Sequence, residues 1–208
     1  TMMKTMKWKV MPNLKQNRMN PGVAVVDGKI FVFGGWNDGE CLKTCEVFSV
    51  KDGKKWIHSD DHDVTETTTM TTMMTVQPPP PMPTERRGMG VTVIGKKIFL
   101  IGGYNLADKF HTTVSVLDTQ SNKWSSLPSM KTARSLMGIA VIDDRFIWTF
   151  GGWNGLKLDV IEIFDVEKNE WKTSTIKMTF PRSGMKAIAV GHKIFIIGGL
   201  INGSVTYD

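Results

Sequence analysis

Histidine and carboxylate side chains are the first groups in this sequence that could hold a metal ion. His58, Asp60, Asp61, His62 and Asp63 lie close together in the chain and superficially resemble a metal-binding cluster. A metal site needs a rigid framework with hydrogen-bonded support for its ligands. Because these residues lie where a strand enters a long polar segment, we predict no metal site and no cofactor.

Other catalytic patterns are missing as well. The sequence has neither the Gly-x-Ser-x-Gly turn of hydrolases nor a phosphate-binding glycine loop. His111 and His192 are isolated in predicted turns, where we expect solvated side chains. Cys41 and Cys45 have no second pair with which to form a zinc site, and we expect reduced thiols, as in a cytosolic protein. We therefore predict that the protein is not an enzyme.

Recognition chemistry has better support, because an aromatic residue next to an asparagine recurs along the chain. Such pairs on loops are typical of binding hot spots. Each aromatic side chain could equally pack on a neighbouring unit and leave only the asparagine exposed. The pairs are Trp36–Asn37, Tyr104–Asn105 and Trp153–Asn154, with Leu200 and Asn202 at the fourth position.

Each of these positions follows a Gly-Gly pair that ends an apolar run. Repetition of this kind indicates a β-propeller or a solenoid. The second glycines are 68, 49 and 47 residues apart, so one step is too long. The glycine pairs are Gly34–Gly35, Gly102–Gly103, Gly151–Gly152 and Gly198–Gly199, and the tryptophans that follow three of them are Trp56, Trp124 and Trp171.

Within each repeat, two β-branched runs are joined by a short Gly or Asp turn, which predicts a β-hairpin. Their nearly continuous apolar character predicts strands that are covered on both faces. In the third run, for example Glu46–Ser49, polar and apolar residues alternate, which predicts a half-exposed strand. We expect the glycines to permit close backbone approach and the tryptophans to pack between units.

The order of arginine, apolar hairpin, Gly-Gly, Glu-x-Phe-Asp and tryptophan resembles the Kelch repeat, whose period is about 50 residues. The resemblance implies an all-β, Kelch-type β-propeller with about four visible blades, three of them complete. Kelch propellers most often have about six blades, so we expect part of a larger propeller rather than a closed four-bladed ring. The expected units are 1–14 (last strand of a preceding blade), 15–58, 85–130 and 131–178 (blades) and 179–208 (incomplete blade).

The long step corresponds to residues 59–84, which are rich in threonine, methionine and proline. Four consecutive prolines favour extended polyproline II structure. We therefore expect an inserted surface loop between two blades. The threonines could be phosphorylated, and the prolines could dock in an aromatic groove, but a passive loop is the simpler interpretation.

The resemblance also implies a binding face. In Kelch adaptors, arginines and serines just before the first strand, together with residues after Gly-Gly, hold an acidic peptide. Arginine suits this task because it binds carboxylate or phosphate in a bidentate manner. Alternatively, each arginine could tie blades together by binding backbone carbonyls. The matching residues are Arg134–Ser135 and Arg182–Ser183, with Arg86–Arg87 keeping the first position and Arg18–Met19 only the arginine.

Charge and hydropathy narrow the classes of partner. The net charge of +6 owes much to residues 1–20, which carry five basic residues and no acid. No basic face or RNA-stacking motif is evident, so we predict no nucleic-acid partner. No apolar stretch approaches the ~20 residues of a membrane span, and we expect a cytoplasmic protein.

The resemblance implies a protein–protein interaction module. In the most common animal subfamily, a BTB domain, which this sequence does not contain, would recruit a cullin-type ubiquitin ligase, and the propeller would hold the substrate. An actin-binding, cytoskeleton-associated Kelch protein is the alternative. A propeller enzyme is a third possibility, for which the sequence offers few histidine, glutamate and tyrosine residues.

Overall fold

The computed structural model describes residues 8–51, 55–61, 77–201 and 204–205, and regular structure in this part of the chain is entirely β. Three four-stranded antiparallel sheets follow one another, and shorter pairings complete the described chain. In each four-stranded sheet, the strands lie side by side in their order along the chain. The small two-stranded hairpins lie outside these sheets. The predicted all-β fold of repeated four-stranded blades is confirmed.

Blade 1 consists of four paired strands and a small hairpin. Its tight turn between the first two strands is Asp27–Gly28, with φ angles of 49° and 68°. Positive φ at both positions is what a type I′ turn requires, and this turn suits the twist of a hairpin. The strands are β1 (Gly22–Val26), β2 (Lys29–Phe33), β3 (Trp36–Asn37), β4 (Glu40–Cys41), β5 (Cys45–Ser49) and β6 (Ile57–His58).

The following blades repeat this plan. Blade 2 contains β7 (Gly90–Ile94), β8 (Lys97–Ile101), β9 (Tyr104–Asn105), β10 (Lys109–Phe110), β11 (Val114–Asp118) and β12 (Lys123–Leu127). Blade 3 contains β13 (Gly138–Ile142), β14 (Phe146–Phe150), β15 (Ile161–Asp165) and β16 (Glu170–Thr173). The described part of blade 4 contains β17 (Lys186–Val190), β18 (Lys193–Ile197), β19 (Leu200–Ile201) and β20 (Ser204–Val205).

The third strand of each complete blade is buried, and the prediction of a half-exposed strand was wrong. Glu46 in β5 and Glu162 in β15 are both 0% exposed, and Ser115 occupies the same position in β11 at 5%. The alternation of polar and apolar residues suggested a solvated face. Glu46 and Glu162 instead pair with buried arginines, as described below.

Adjacent blades pack through their first strands, since β1 contacts β7, β7 contacts β13, and β13 contacts β17. Gly90 shows why glycine begins these strands: a Cβ atom there would overlap Cδ1 of Ile139 in the next blade. Separate apolar clusters fill the three joints between blades. In the first joint, the ring of Trp124 packs edge-on against Phe33 of blade 1, with centroids 5.8 Å apart.

The two end blades each leave one apolar face open. In β1, Val23 and Val25 are 53% and 60% exposed. In blade 4, Phe195 is 48% exposed, whereas Phe31, at the same position in blade 1, is 5% exposed because blade 2 covers it. The prediction that the strands are covered on both faces therefore does not hold for the end blades.

The predicted insertion at 59–84 ends in a packed segment. Residues 62–76 lie outside the described part of the chain, but Pro79 and Met82 are buried. The indole Nε1 of Trp124 donates a hydrogen bond to the Pro80 carbonyl (2.9 Å). A proline segment leaves its carbonyls free to accept such bonds, so this end of the insertion belongs to the joint between blades 1 and 2.

Among the described residues, no helix is long and apolar enough to cross a membrane.

Candidate functional site

The residue after each arginine and the residue after each Gly-Gly pair lie side by side at one end of every blade. Four isolated antiparallel bridges join them. We call this end of the molecule the loop face. It comprises Met19 and Trp36, Arg87 and Tyr104, Ser135 and Trp153, and Ser183 and Leu200.

The glycine pairs link each blade to the next beneath this face. The backbone N–H of Gly103 donates to the carbonyl of Arg134 (2.9 Å), and Gly35 and Gly152 make the same bond to Arg86 and Arg182. Gly102 has a φ of 60°, and a Cβ atom there would lie 2.5 Å from the Arg134 carbonyl oxygen. Glycine therefore permits both the backbone angle and the close approach.

Three of the four arginines at the first predicted position, Arg18, Arg86 and Arg134, have side chains buried within the blades. Arg134 is 0% exposed and donates to the carbonyls of Gly151 (3.0 Å) and Val160 (2.9 Å). It also forms a buried ion pair with Glu162. Arg18 pairs with Glu46 in the same way, Nε to Oε1 at 3.0 Å. The bonds of Arg134 go to backbone carbonyls, as the alternative from the sequence had it, but they lie within blade 3 rather than between blades. They remove Arg134 from the surface.

Each glutamate of these ion pairs also accepts two backbone hydrogen bonds. Glu162 receives the N–H groups of Lys131 (2.7 Å) and Thr132 (3.0 Å). Glu46 receives those of Lys15 (2.7 Å) and Gln16 (3.3 Å). A buried charge is tolerated when it is paired and fully hydrogen-bonded, so the glutamate, the arginine and the preceding linker form one unit.

Blade 2 departs from this pattern. Arg86 is 2% exposed, but Ser115 replaces the glutamate, and the hydrogen bonds that Arg86 makes to described residues come from Nη1, to Gly102 (2.9 Å) and Thr113 (3.5 Å). Pro83, at the position of Lys131, has no N–H that would need the missing carboxylate. Burial lowers the pKa of Arg86 to about 10, against a smaller opposing effect of Glu85.

Arg182 and the two predicted serines are also engaged in the fold. Arg182 is half-buried and donates to the Gly198 carbonyl (3.1 Å). Ser135 and Ser183 are 2% and 5% exposed, and Ser135 Oγ donates to the Trp153 carbonyl (3.4 Å). Their side chains thus contribute little to the accessible part of the loop face.

Arg87 is the predicted arginine whose side chain lies on the loop face. Its guanidinium carbon is 4.4 Å from the centroid of the Trp36 ring and 5.3 Å from that of Tyr104. Cation–π contacts at these distances hold the guanidinium group over the aromatic rings. Because Trp36 belongs to blade 1 and Tyr104 to blade 2, Arg87 joins two blades at the surface.

Several apolar side chains are also exposed on the loop face and its adjoining loops. Trp153 is 37% exposed, and Leu156 in the following loop is 74% exposed. Exposed apolar groups that lie together, unlike isolated ones, mark sites of interaction. The other large exposed apolar residues at this end are Met19, Leu106, Leu136 and Leu200.

The predicted asparagines differ among themselves. Asn105 is fully buried and donates from Nδ2 to Asp108 (3.2 Å) and Glu85 (3.3 Å). Asn154 and Asn37 are half-buried in their loops. Asn202 lies outside the described residues. Asn105 therefore shapes the loop of blade 2, whereas Asn37 and Asn154 retain some surface.

His111 is buried, and the prediction of a solvated turn residue was wrong. It is 7% exposed and occupies the position of Leu42 and Leu158 in the neighbouring blades, where its N–H bonds to the Gly103 carbonyl. Its Nε2 atom makes no hydrogen bond to any residue in the described part of the chain. Burial and, second, the charge of Arg86 lower the pKa of His111. The equivalent residues in the two neighbouring blades, Leu42 and Leu158, are both leucines. This position of the repeat is therefore an apolar one, which is consistent with a buried His111.

Sequence reasoning missed the hydrogen-bond acceptor of the indole in each of the three repeated tryptophans, Trp56, Trp124 and Trp171. Nε1 of Trp171 donates to the Pro128 carbonyl (2.8 Å), and that of Trp56 to Pro12 (2.9 Å). Pro12, Pro80 and Pro128 each stand six residues before an arginine. This regular spacing was the available signal for the contact.

Other reactive groups form no further site. Cys45 is buried, and burial raises the pKa of its thiol to about 12. Cys41 is half-buried, and its thiol contacts the Tyr104 carbonyl at 3.5 Å. In the described ranges, no group of three histidine, cysteine or carboxylate side chains could hold a metal ion. His62 and Asp63 of the cluster considered from the sequence lie outside those ranges.

Comparison with known proteins supports a common fold. The chain is 27% identical over 176 residues to Kelch repeat-containing protein kel-10 of Caenorhabditis elegans, which covers 82% of this chain and 27% of the relative. It is 26% identical to Kelch-like protein 40 of Xenopus tropicalis (92% and 28%). An F-box/kelch-repeat protein of Arabidopsis thaliana is 33% identical (58% and 29%). The chain thus spans less than a third of the length of each of these relatives.

A family model gives the broadest match. The model described as the KLHDC2/KLHL20/DRC7 Kelch-repeats domain matches residues 3–199. The four glycine pairs and the strands from β1 to β18 lie within this range. The chain therefore belongs to the Kelch-repeat family.

Proposed function

We propose that this chain binds a protein partner through the loop face and acts as the substrate-recognition part of a cullin-type ubiquitin-ligase adaptor. Arg87 carries the proposal. It lies against Trp36 and Tyr104, so little side-chain freedom remains to be lost on binding. The names of the relatives, among them a Kelch-like protein and an F-box/kelch protein, support a modular adaptor.

The proposed partner segment combines an acidic residue with apolar neighbours. Its carboxylate would receive the N–H groups of Arg87, which suit bidentate binding. Its apolar side chains would cover Trp153 and Leu156, which are 37% and 74% exposed. Among the binding residues predicted from the sequence, the proposal relies on Trp36, Arg87, Tyr104 and Trp153. The other predicted residues contribute less because their side chains are buried, namely Arg86, Arg134, Ser135 and Ser183.

The proposal can be tested by affinity capture of the full-length protein from its own tissue, read by mass spectrometry. We expect a cullin and a protein with an acidic segment, and Arg87→Ala should lose that protein while keeping the cullin. As a control, Lys168→Ala on an exposed turn should change neither. Recovery of actin without cullin would replace the ligase role by a cytoskeletal one.

A further inference from the structure

A groove opens between the outer strands of blades 2 and 3, away from the loop face. Its volume is about 580 Å³. Phe99, Val116 and Phe164 form its floor, and Asn169 lines the blade 3 side. At its rim, Lys97 and Lys123 flank Asp118, which pairs with both of them in the sheet, and the rim keeps a net positive charge. We call this the side groove. Both lysines are exposed.

The corresponding place between blades 1 and 2 is filled by the chain itself. Asn122, which directly precedes β12, occupies the position that Asn169 occupies before β16, and their φ angles are 55° and 54°. The Nδ2 group of Asn122 donates to the Pro78 carbonyl (2.8 Å). The proline segment 78–81 therefore rests against Asn122, next to the Trp124–Pro80 hydrogen bond.

Asn169 is exposed, and its side-chain amide makes no hydrogen bond within the described part of the chain. Residue 126, which corresponds to Pro78 by its distance from the following arginine, lies in β12 and pairs with Ser115. Blade 2 continues as a regular strand here, whereas blade 1 is interrupted by the insertion. From Pro80 onward the segment has its counterpart in blade 2, where Pro128 accepts the indole of Trp171. The place that Pro78 fills beside Asn122 is open beside Asn169.

We propose that the side groove binds an extended, proline-containing peptide segment of a partner protein, with an acidic residue beside the prolines. Proline suits the groove because it brings no N–H that would need a partner and is already extended. A carbonyl of the peptide would accept the Nδ2–H group of Asn169, as Pro78 accepts that of Asn122. The acidic residue would lie near Lys97 and Lys123.

The test uses a fluorescent peptide that copies residues 77–79, whose place is open in the side groove, and carries two added glutamates, with fluorescence anisotropy as the measurement. We expect saturable binding to the whole chain. Asn169→Gly removes the amide and keeps the positive φ, and it should weaken binding roughly threefold to tenfold, as expected for one hydrogen bond. Lys123→Glu should weaken the glutamate peptide more than a version without glutamates.

Two matched controls identify the site. Asn122→Gly makes the same change in the filled position and should leave the affinity unchanged. Arg87→Ala alters the loop face and should also leave it unchanged. Absence of saturable binding, or full affinity in Asn169→Gly, would overturn the proposal. Loss of binding in Arg87→Ala alone would move the peptide to the loop face and equally overturn it.

Discussion

At the residue scale, the repeated arginines divide into two kinds. Arg18 and Arg134 are locked to a buried glutamate and to carbonyls of their own blade. Arg87 sits one position later and reaches the surface over two aromatic rings. A shift of one residue thus separates an arginine that stabilises the fold from one that is available to a partner.

This division predicts different results for two alanine substitutions. Arg134→Ala leaves Glu162 buried without its counter-ion, which should cost about 3–5 kcal/mol of unfolding free energy. Arg87→Ala removes cation–π contacts at the surface and should cost no more than about 1 kcal/mol. Urea denaturation of both variants measures the difference.

A second pair of variants checks the cause. Arg86 has no glutamate partner, so Arg86→Ala should cost less than Arg134→Ala. Replacing Glu162 together with Arg134 by residues of similar volume, as in Arg134→Met with Glu162→Gln, should recover part of the loss. Equal costs for Arg86→Ala and Arg134→Ala would contradict the role assigned to the ion pair.

At the element scale, the joints between blades depend on glycine at the start of the inner strand. Gly22, Gly90 and Gly138 all face the next blade within contact distance of a side chain there. Blade 4 has Lys186 at this position, and it is exposed. The three observed joints are therefore closely packed.

Gly90 offers a direct test of this packing. A Cβ atom at Gly90 would overlap Cδ1 of Ile139, and Gly90 has no positive φ that alanine would strain. We expect Gly90→Ala to cost about 1–3 kcal/mol, as overpacking does. The measurement is the free energy of unfolding in urea.

Ile139→Val provides the matched rescue, because valine lacks the Cδ1 atom. The double variant should be more stable than the sum of the two single changes predicts, since the closest overlap, with Cδ1, is removed and only the contact with Cγ1 at 2.9 Å remains. Additive losses would show that the two residues do not meet in the way that the structure indicates.

Much of this element structure follows from sequence. The hairpins, the glycine pairs and the all-β class come from local patterns: β-branched runs, Asp-Gly turns and a fixed repeat. The burial of Glu46 and Glu162 does not, because an isolated strand pattern cannot show that an arginine 28 residues away will neutralise each glutamate. His111 was misjudged for a similar reason, since its environment is set by the neighbouring blade.

At the scale of the whole molecule, the four blades form a series with two uncovered ends. Val23 and Val25 lie on one end, and Ile188, Val190 and Phe195 on the other, all about half exposed. Each interior joint buries side chains at these same positions. Surfaces of this composition favour contact with another blade-like surface.

We therefore expect the 208-residue chain to self-associate as its concentration rises. Ile188→Lys together with Phe195→Lys should weaken this association by placing charge on the open face. Light scattering coupled to size-exclusion chromatography measures it. Leu156→Lys on the loop face is the control and should have no effect. A wild-type chain that stays monomeric at all concentrations would contradict the expectation.

The hydrogen bonds from Gly35, Gly103 and Gly152 each connect one blade to the arginine carbonyl that begins the next blade. Energetically, such a chain behaves as a row of coupled units, in which stability is a sum of unit and nearest-neighbour terms. Unfolding then starts at the terminal blades and proceeds inward from one blade to the next. A ligand that binds several blades on the loop face would stabilise the joints between them. Ligand binding would then be coupled to the lifetime of the folded row of blades.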